Sequence, residues 1–327
     1  MKKLGDDYRA QEKLLNELEE RIRQEYSNAF IDITHKSESY FKQFEKEDAE
    51  KLKLLEDGKI TKKEYAKWRL NEMAKGKRYN DLRETLARDF CNSDKLAMQM
   101  VNTYRKDAYA LQMNYTTYDI EKSTRLNTSF TLYDRNTVEM LMKKDPDFLP
   151  PMDINYTKDF KWNKTKVNST LIQGILQGES IPDISKRLSK VTGMDERSAI
   201  KNARTAMTSA SNMARIDAYE RAEDMGIRMK KVWIATLDDR TRDSHALLDG
   251  EERDIDEPFS NGLMYPADPS GEPSEVYNCR CTMVKQIDKY RTDWQDLSNR
   301  NVSKLGGMSY DEWKASHLKG EFEEDED

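Results

Sequence analysis

The sequences KVWIATLDDRTRDSHALLDG at 231–250 and PSEVYNCRCT at 273–282 decide the fold of the second half of the chain. The first six residues, at 231–236, predict a buried strand. A second strand is predicted at 276–287, because apolar and polar residues alternate in VYNCRCTMVKQI. The charged run that follows KVWIAT predicts a short helix or helical turn, which Gly250 ends. Together these elements predict a small α+β module.

The same stretch contains one of the three histidines and two of the three cysteines of the chain. If the charged run is helical, Asp238 and Arg242 lie on one face with His245. On a strand, Cys279 and Cys281 point to the same side of the sheet. Pairing of the two predicted strands is therefore expected to bring the histidine close to both thiols.

Three interpretations of this cluster stay open. Two thiolates and one imidazole are three soft ligands suited to zinc, with an aspartate or a water molecule as the fourth ligand. The spacing differs from a standard zinc finger, since CxC is tighter than CxxC. Alternatively, both cysteines are small buried apolar residues, and His245 and Arg242 fix the loop through hydrogen bonds to Asp238 and backbone groups.

The third interpretation is catalytic. A histidine beside an aspartate and an arginine can act as acid or base in phosphodiester cleavage, and a Cys–His dyad is a second catalytic arrangement. Against both, the sequence has no second histidine nearby and no glycine-rich phosphate-binding motif. We therefore predict no catalytic residue.

We predict that a set of nine residues holds the fold of the module. We also predict no cofactor, with zinc at His245, Cys279 and Cys281 as the alternative. The nine residues are Trp233, Asp238, Asp239, Arg242, His245, Gly250, Asn278, Cys279 and Cys281.

The composition favours a mainly α-helical protein with an elongated helical N-terminal region. Of 327 residues, 35% are charged and only 36% are hydrophobic, and the apolar residues are spaced along charged segments. The last nine residues, KGEFEEDED, carry a net charge of -5 and predict a disordered tail, so the other 318 residues sum to -1. This near-neutral body shows no broad nucleic-acid footprint. No apolar run is long enough to predict a membrane span.

Helix signals divide the rest of the chain. A capping box at Thr61 opens one helix, Ser93 is predicted to cap a long helix over about 94–122, and Asn136 caps a short one. A short strand is predicted at 129–134. Gly193 is predicted to end the helix that starts after Ser180.

Three blocks of the second half carry a resemblance to a known family. They are the helical approach at 175–227, the sequence KKVWIATLDDRTRDSHALLDGE at 230–251, and YPADP at 265–269 together with NCRC. From about 172 to 287 the chain resembles the phage head morphogenesis family, the minor head proteins similar to the F protein of phage Mu. It departs from the family pattern at Ala206, where an acid commonly follows the Arg-Thr pair.

The resemblance implies a virion protein with a structural role in head assembly. It implies a position inside the head at the portal vertex, several copies around the portal, and synthesis in the host cytoplasm during assembly. The implied partners are the portal protein and the major capsid or scaffold proteins. It also implies that some members contact the packaged DNA and that some leave with the genome. The alternative function is a metal-assisted or histidine-dependent nuclease acting at the phage head.

Four consecutive segments are predicted, with a boundary near 150 in the proline-rich connector. They are an extended helical region for portal or capsid contact at 1–150, the helical part of the Mu F-like domain at 151–230, the α+β module at 231–290, and a C-terminal segment with the acidic tail at 291–327.

Overall fold

The computed structural model describes residues 5–126, 128, 130–288, 292 and 307–319. Long helices dominate the described chain, and a small sheet lies in its C-terminal half. The helices of the first two thirds are α1 (Asp6–Lys42), α2 (Glu45–Glu56), α3 (Lys62–Met73), α4 (Gly76–Thr124), α5 (Arg135–Lys144), α6 (Tyr156–Leu176) and α7 (Ile181–Asp224). The elements that follow are β1 (Met229–Ile234), α8 (Asp243–Leu247), β2 (Glu252–Asp254), α9 (Pro273–Val276), β3 (Thr282–Ile287) and α10 (Tyr310–Lys319).

The predicted fold class is confirmed. The protein is mainly α-helical, with a small α+β module near its C-terminus and long helices near its N-terminus. Helix α1 has 37 residues and α4 has 49, so at a rise of 1.5 Å per residue they extend for about 55 and 73 Å. No helix among the described residues is long and apolar enough to cross a membrane.

The described chain forms two compact units, and each combines segments that are distant in sequence. The first unit comprises the described residues of 1–18, 101–151 and 201–327, and the second comprises residues 19–100 and 152–200. One change of unit falls between 151 and 152, inside the proline-rich connector. The division of the chain into four consecutive segments stays a prediction, and the acidic tail beyond Lys319 lies outside the described residues.

The second unit has a core of apolar side chains from five helices. Val167, Leu171 and Ile175 recur four residues apart on α6 and are fully buried. The buried guanidinium of Arg69 on α3 donates a hydrogen bond to the Glu179 carbonyl and lies 3.2 Å from an Asp48 carboxylate oxygen. That pairing compensates part of the cost of burying the charge.

The core of the first unit is built on a stripe of small residues. Ala210, Ala214, Ala218 and Ala222 are buried at four-residue spacing on α7. Side chains this small let neighbouring elements pack close to the α7 backbone. Helix α7 is therefore the support on which the sheet and the cysteine segment are positioned.

The sheet is antiparallel in the order β2-β1-β3, and β1 pairs with β3 over its whole length. Residues alternate along β1, so that Met229, Lys231 and Trp233 are buried on one face. The Lys231 ammonium donates to the Ile255 and Met264 carbonyls at 3.0 and 2.9 Å. Burial lowers the pKa of Lys231 to about 8.

Two predicted helix boundaries are wrong. Helix α4 continues through Ser93, whose buried hydroxyl donates to Glu25 instead of capping a helix. Helix α7 also continues through Gly193. A glycine inside a helix costs only about 1 kcal/mol relative to alanine, so it does not end the helix by itself. The capping box at Thr61 is confirmed.

The segment before α5 also differs from the prediction. Among the described residues of 129–134 there is no strand. The N-cap of α5 is Asp134, whose carboxylate accepts a hydrogen bond from the Thr137 backbone nitrogen, so the predicted cap at Asn136 is two residues too late.

Candidate metal centre

His245, Cys279 and Cys281 converge inside the first unit. The imidazole lies on α8, and the thiols lie on the irregular segment between α9 and β3. Nδ1 of His245 is 3.6 Å from the Cys279 sulfur and 3.4 Å from the Cys281 sulfur. All three side chains are at most 3% exposed. Within the described part of the chain, this is the one group of three or more His, Cys, Asp or Glu residues that could hold a metal ion.

The backbone that brings these residues together differs from the prediction. Helix α8 begins at Asp243, so Asp238 and Arg242 precede it and do not share its face with His245. Strand β3 begins at Thr282, so neither cysteine lies on it. The thiols face the imidazole because the segment before β3 turns sharply.

That turn depends on Asn278 and on two polar residues of α7. Asn278 has a φ of 59°, a left-handed conformation that asparagine tolerates better than most residues. Its backbone nitrogen donates to the Thr205 hydroxyl at 2.9 Å. The Asn212 side-chain amide donates to the Pro266 carbonyl at 3.0 Å and to the Cys281 carbonyl at 3.3 Å.

Thr205 and Asn212 hold the cysteine segment through hydrogen bonds, and the sequence prediction missed both. Both lie in RTAMTSASN, a run of small and polar residues on a helix with an apolar stripe. A buried polar residue on such a helix needs a partner from outside its own turn. The sequence therefore indicates that these polar residues need hydrogen-bond partners, but it does not show that the partners lie in the cysteine segment.

Trp233 on β1 packs against the cluster and covers the side that faces the sheet. Its indole is fully buried and meets the His245 and Phe259 rings edge-on, at centroid distances of 5.4 and 5.0 Å. Gly250 follows α8 with a φ of 82°, and its backbone nitrogen donates to the Trp233 carbonyl at 2.8 Å. The left-handed turn thus returns the chain to the edge of β1.

A carboxylate supports the imidazole from outside. Nε2 of His245 lies 3.0 Å from an oxygen of Glu275, which is on α9. Ser244 donates to the same carboxylate at 3.2 Å. A carboxylate accepts hydrogen bonds, so this contact places the imidazole proton on Nε2 and leaves the Nδ1 lone pair directed at the thiols.

The charged residues of the predicted set lie at the surface beside the cluster. Asp238 pairs with Arg280, and this hydrogen bond holds the pKa of Asp238 well below its usual range. The Arg242 guanidinium donates to the Tyr277 carbonyl. Asp239 is exposed. Arg280 and Arg242 therefore tie the cysteine segment to the turn before α8.

The two thiols influence each other. A hydrogen bond from Cys279 lowers the pKa of the Cys281 thiol and raises the pKa of Cys279. Burial of the pair means that a substrate has no direct path to either sulfur, which disfavours a nucleophilic role. The arrangement suits metal binding or the packing of the module.

The fold and the cluster define a class: a long-helical protein whose small α+β module closes around a buried His–Cys₂ centre. The sequence profile of the family described as Phage Mu protein F like protein matches residues 165–284. This range contains the cluster and all of α7. Over this range the chain is similar to the phage Mu F-like proteins.

Two relatives show how far the similarity extends. Minor head protein GP7 of Bacillus phage SPP1 is 23% identical over 274 residues, which cover 80% of this chain and 83% of that protein. An NAD(+)–arginine ADP-ribosyltransferase of Enterococcus faecalis is 33% identical over 156 residues, 47% of this chain. The match covers 32% of the Enterococcus protein, so the chain spans about a third of it. No solved structure gives a significant match.

Proposed function

We propose that this chain is a structural and assembly protein of a tailed-phage head and acts at the portal vertex. The similarity to Minor head protein GP7 supports this role most directly, because it covers 83% of that protein. A match of this extent includes both the Mu F-like domain and much of the helical region before it. In this proposal several copies lie around the portal inside the head after synthesis in the host cytoplasm.

The long helices supply the contact surface in this proposal. Trp162 on α6 is 66% exposed. Large exposed aromatic residues are enriched at protein interfaces. We assign the surface of the second unit around Trp162 to the portal protein, with the major capsid or scaffold proteins as further partners.

Contact with the packaged DNA is a secondary part of the proposal. The lysines of α6 form the basic stripe nearest to Trp162. Two of them are paired, Lys164 with Glu84 and Lys166 with Asp195 at 2.8 Å. The exposed Lys158 and Lys161 therefore carry this role, and a small stripe predicts weak binding that falls steeply with salt. We also propose that the protein leaves the head together with the genome.

We propose that the chain has no enzymatic activity. The enzyme name among the relatives belongs to a protein of which this chain spans about a third. The buried cluster offers no accessible nucleophile. Incubation of the purified chain with NAD⁺ and an arginine acceptor, and separately with duplex DNA and divalent cations, is expected to give neither transfer nor cleavage. Cleavage that is lost in His245→Ala would support the nuclease alternative.

Binding to the portal protein tests the structural role. The chain is coexpressed with an affinity-tagged portal protein from the same phage, and the complex is captured and quantified. Wild-type chain is expected to be retained, and Trp162→Ala is expected to weaken retention about tenfold. Leu247→Ala is the matched control, because Leu247 is an 87% exposed apolar residue in the other unit. Failure of the wild-type chain to bind the portal contradicts the proposal.

A further inference from the structure

We propose that His245, Cys279 and Cys281 bind one zinc ion, which fastens α8 and the cysteine segment to the sheet. His245 contributes Nδ1, and the two cysteines contribute thiolate sulfurs. The described residues offer three ligands, so a water molecule takes the fourth position. The role of the ion is to stabilise the module.

The distances fit tetrahedral coordination. Zinc binds imidazole nitrogen at about 2.0–2.1 Å and thiolate sulfur at about 2.3 Å, which places a nitrogen and a sulfur ligand about 3.5 Å apart. The observed separations of His245 Nδ1 from the sulfurs of Cys281 and Cys279 are 3.4 and 3.6 Å. Both separations match this geometry, and all three ligand atoms lie within 4.8 Å of one another.

Hydrogen bonding can engage Nδ1 with only one of the two sulfurs at a time. The contact with Glu275 places the imidazole proton on Nε2, so Nδ1 has one lone pair. Two sulfurs approach that lone pair, and only one thiol proton can occupy it. A metal ion accepts electron pairs from the nitrogen and both sulfurs at once.

The surroundings resemble those of metal-bound histidines. Such a histidine almost always donates its second ring N–H to a carboxylate or a carbonyl, which fixes the ring and raises its basicity. Glu275 provides this carboxylate at 3.0 Å. The Trp233 and Phe259 rings exclude solvent from the other side of the cluster.

The ligand set selects zinc among the common ions. Thiolate and imidazole are soft to borderline ligands, which disfavours magnesium and calcium, and a compact tetrahedral site suits zinc. Binding displaces one proton from each thiol to solvent, so the net charge of the ligand set falls by two before the ion adds its two positive charges. A disulfide is a poor alternative, because residues separated by one position rarely reach disulfide geometry.

Metal content and stability of the full-length chain test this inference. The chain is purified from zinc-supplemented cells and its metal content is measured by elemental analysis. We expect about one zinc per wild-type chain and none in the Cys279→Ser/Cys281→Ser variant, since both thiolate ligands are removed. Cys91→Ser is the matched control, because Cys91 is an equally buried cysteine in the second unit and is expected to leave the zinc in place.

A second measurement does not depend on the folding of the variant. A strong chelator is added to wild-type protein, and the melting temperature is recorded before and after zinc is restored. The chelator is expected to lower the melting temperature and zinc to restore it. Cobalt in place of zinc is expected to give a sulfur-to-metal charge-transfer band. Wild-type chain without zinc that also fails to bind added zinc or cobalt overturns the inference, and so does zinc that persists at full stoichiometry in the double variant.

Discussion

Nε2 of His245 lies 3.0 Å from a carboxylate oxygen of Glu275, while the other ring nitrogen faces two buried thiols. This relationship joins α8 and α9 to the segment that leads into β3. It fixes the orientation of the imidazole before any ligand binds. The predictions below follow from this cluster and from the buried polar contacts around it.

Removal of the Glu275 charge is expected to weaken zinc binding. Glu275→Gln keeps the size of the side chain but lowers the basicity of the imidazole, so zinc affinity falls about 10–100-fold. Competition with a chromophoric chelator measures the change. Glu272→Gln, at an exposed position just before α9, is the control and is expected to leave the affinity unchanged. Equal affinities for all three proteins would argue against a supporting role of Glu275.

Truncation of Trp233 is expected to destabilise the module strongly. The indole is fully buried against His245 and Phe259, so Trp233→Ala removes a large apolar side chain and leaves a cavity. The expected loss in the free energy of unfolding is about 3–5 kcal/mol. Urea titration measures it. Trp162→Ala, at a 66% exposed tryptophan, is the control with an expected change within about 0.5 kcal/mol.

Asn212 is expected to be as important for the cysteine segment as the motif residues themselves. Asn212→Ala leaves the buried Pro266 and Cys281 carbonyls without their side-chain donor, at a cost of about 1–3 kcal/mol. The same variant is expected to bind zinc more weakly, because the Cys281 backbone is released. Asn136→Ala, at an exposed position, serves as the comparison. A neutral Asn212→Ala variant would show that the sheet alone positions Cys281.

Asp217 is expected to make stability depend on pH between about 4 and 6. Burial raises the pKa of this carboxyl to about 6, and the Tyr109 hydroxyl donates a hydrogen bond to it. The folded protein therefore holds the proton over a range in which the unfolded chain has released it. The contribution of Asp217 to the free energy of unfolding falls as pH rises through this range, by at most about 3 kcal/mol, and is constant on either side.

The Asp217→Asn variant isolates this effect. Its amide does not ionise, so the fall with rising pH that comes from Asp217 is absent. Urea titrations of both proteins at pH 4, 5, 6 and 7 give the difference in unfolding free energy as a function of pH. The variant is expected to gain stability relative to wild type as pH rises. A difference that stays constant over these four values contradicts the assignment.

The sequence predicts the fold class well, because periodicity and helix signals are local. The long charged helices and the small module follow from the spacing of apolar residues. The boundaries predicted at Ser93 and Gly193 are wrong, because neither residue ends a helix by its local signal alone. A serine or glycine ends a helix only when tertiary contacts do not favour its continuation, and Ser93 has a partner on α1 that no local pattern shows.

The candidate site was predictable in part. Composition singles out His245, Cys279 and Cys281, and the structure brings these three together. The predicted reasons, a shared helix face and a strand, are wrong. The true cause is long-range, since Thr205 and Asn212 on α7 hold a turn more than sixty residues later in the chain. The two units were not predictable either, because α1, α4 and α7 each contribute residues to both.

Copy number in assembled heads tests the proposed function most directly. Heads are assembled with and without the portal protein, purified, and analysed by quantitative mass spectrometry for this chain and for the major capsid protein. The account predicts a few copies per head when the portal is present and loss of the chain when it is absent. Absence of the chain from purified heads, or an unchanged copy number without the portal, contradicts a role at the portal vertex.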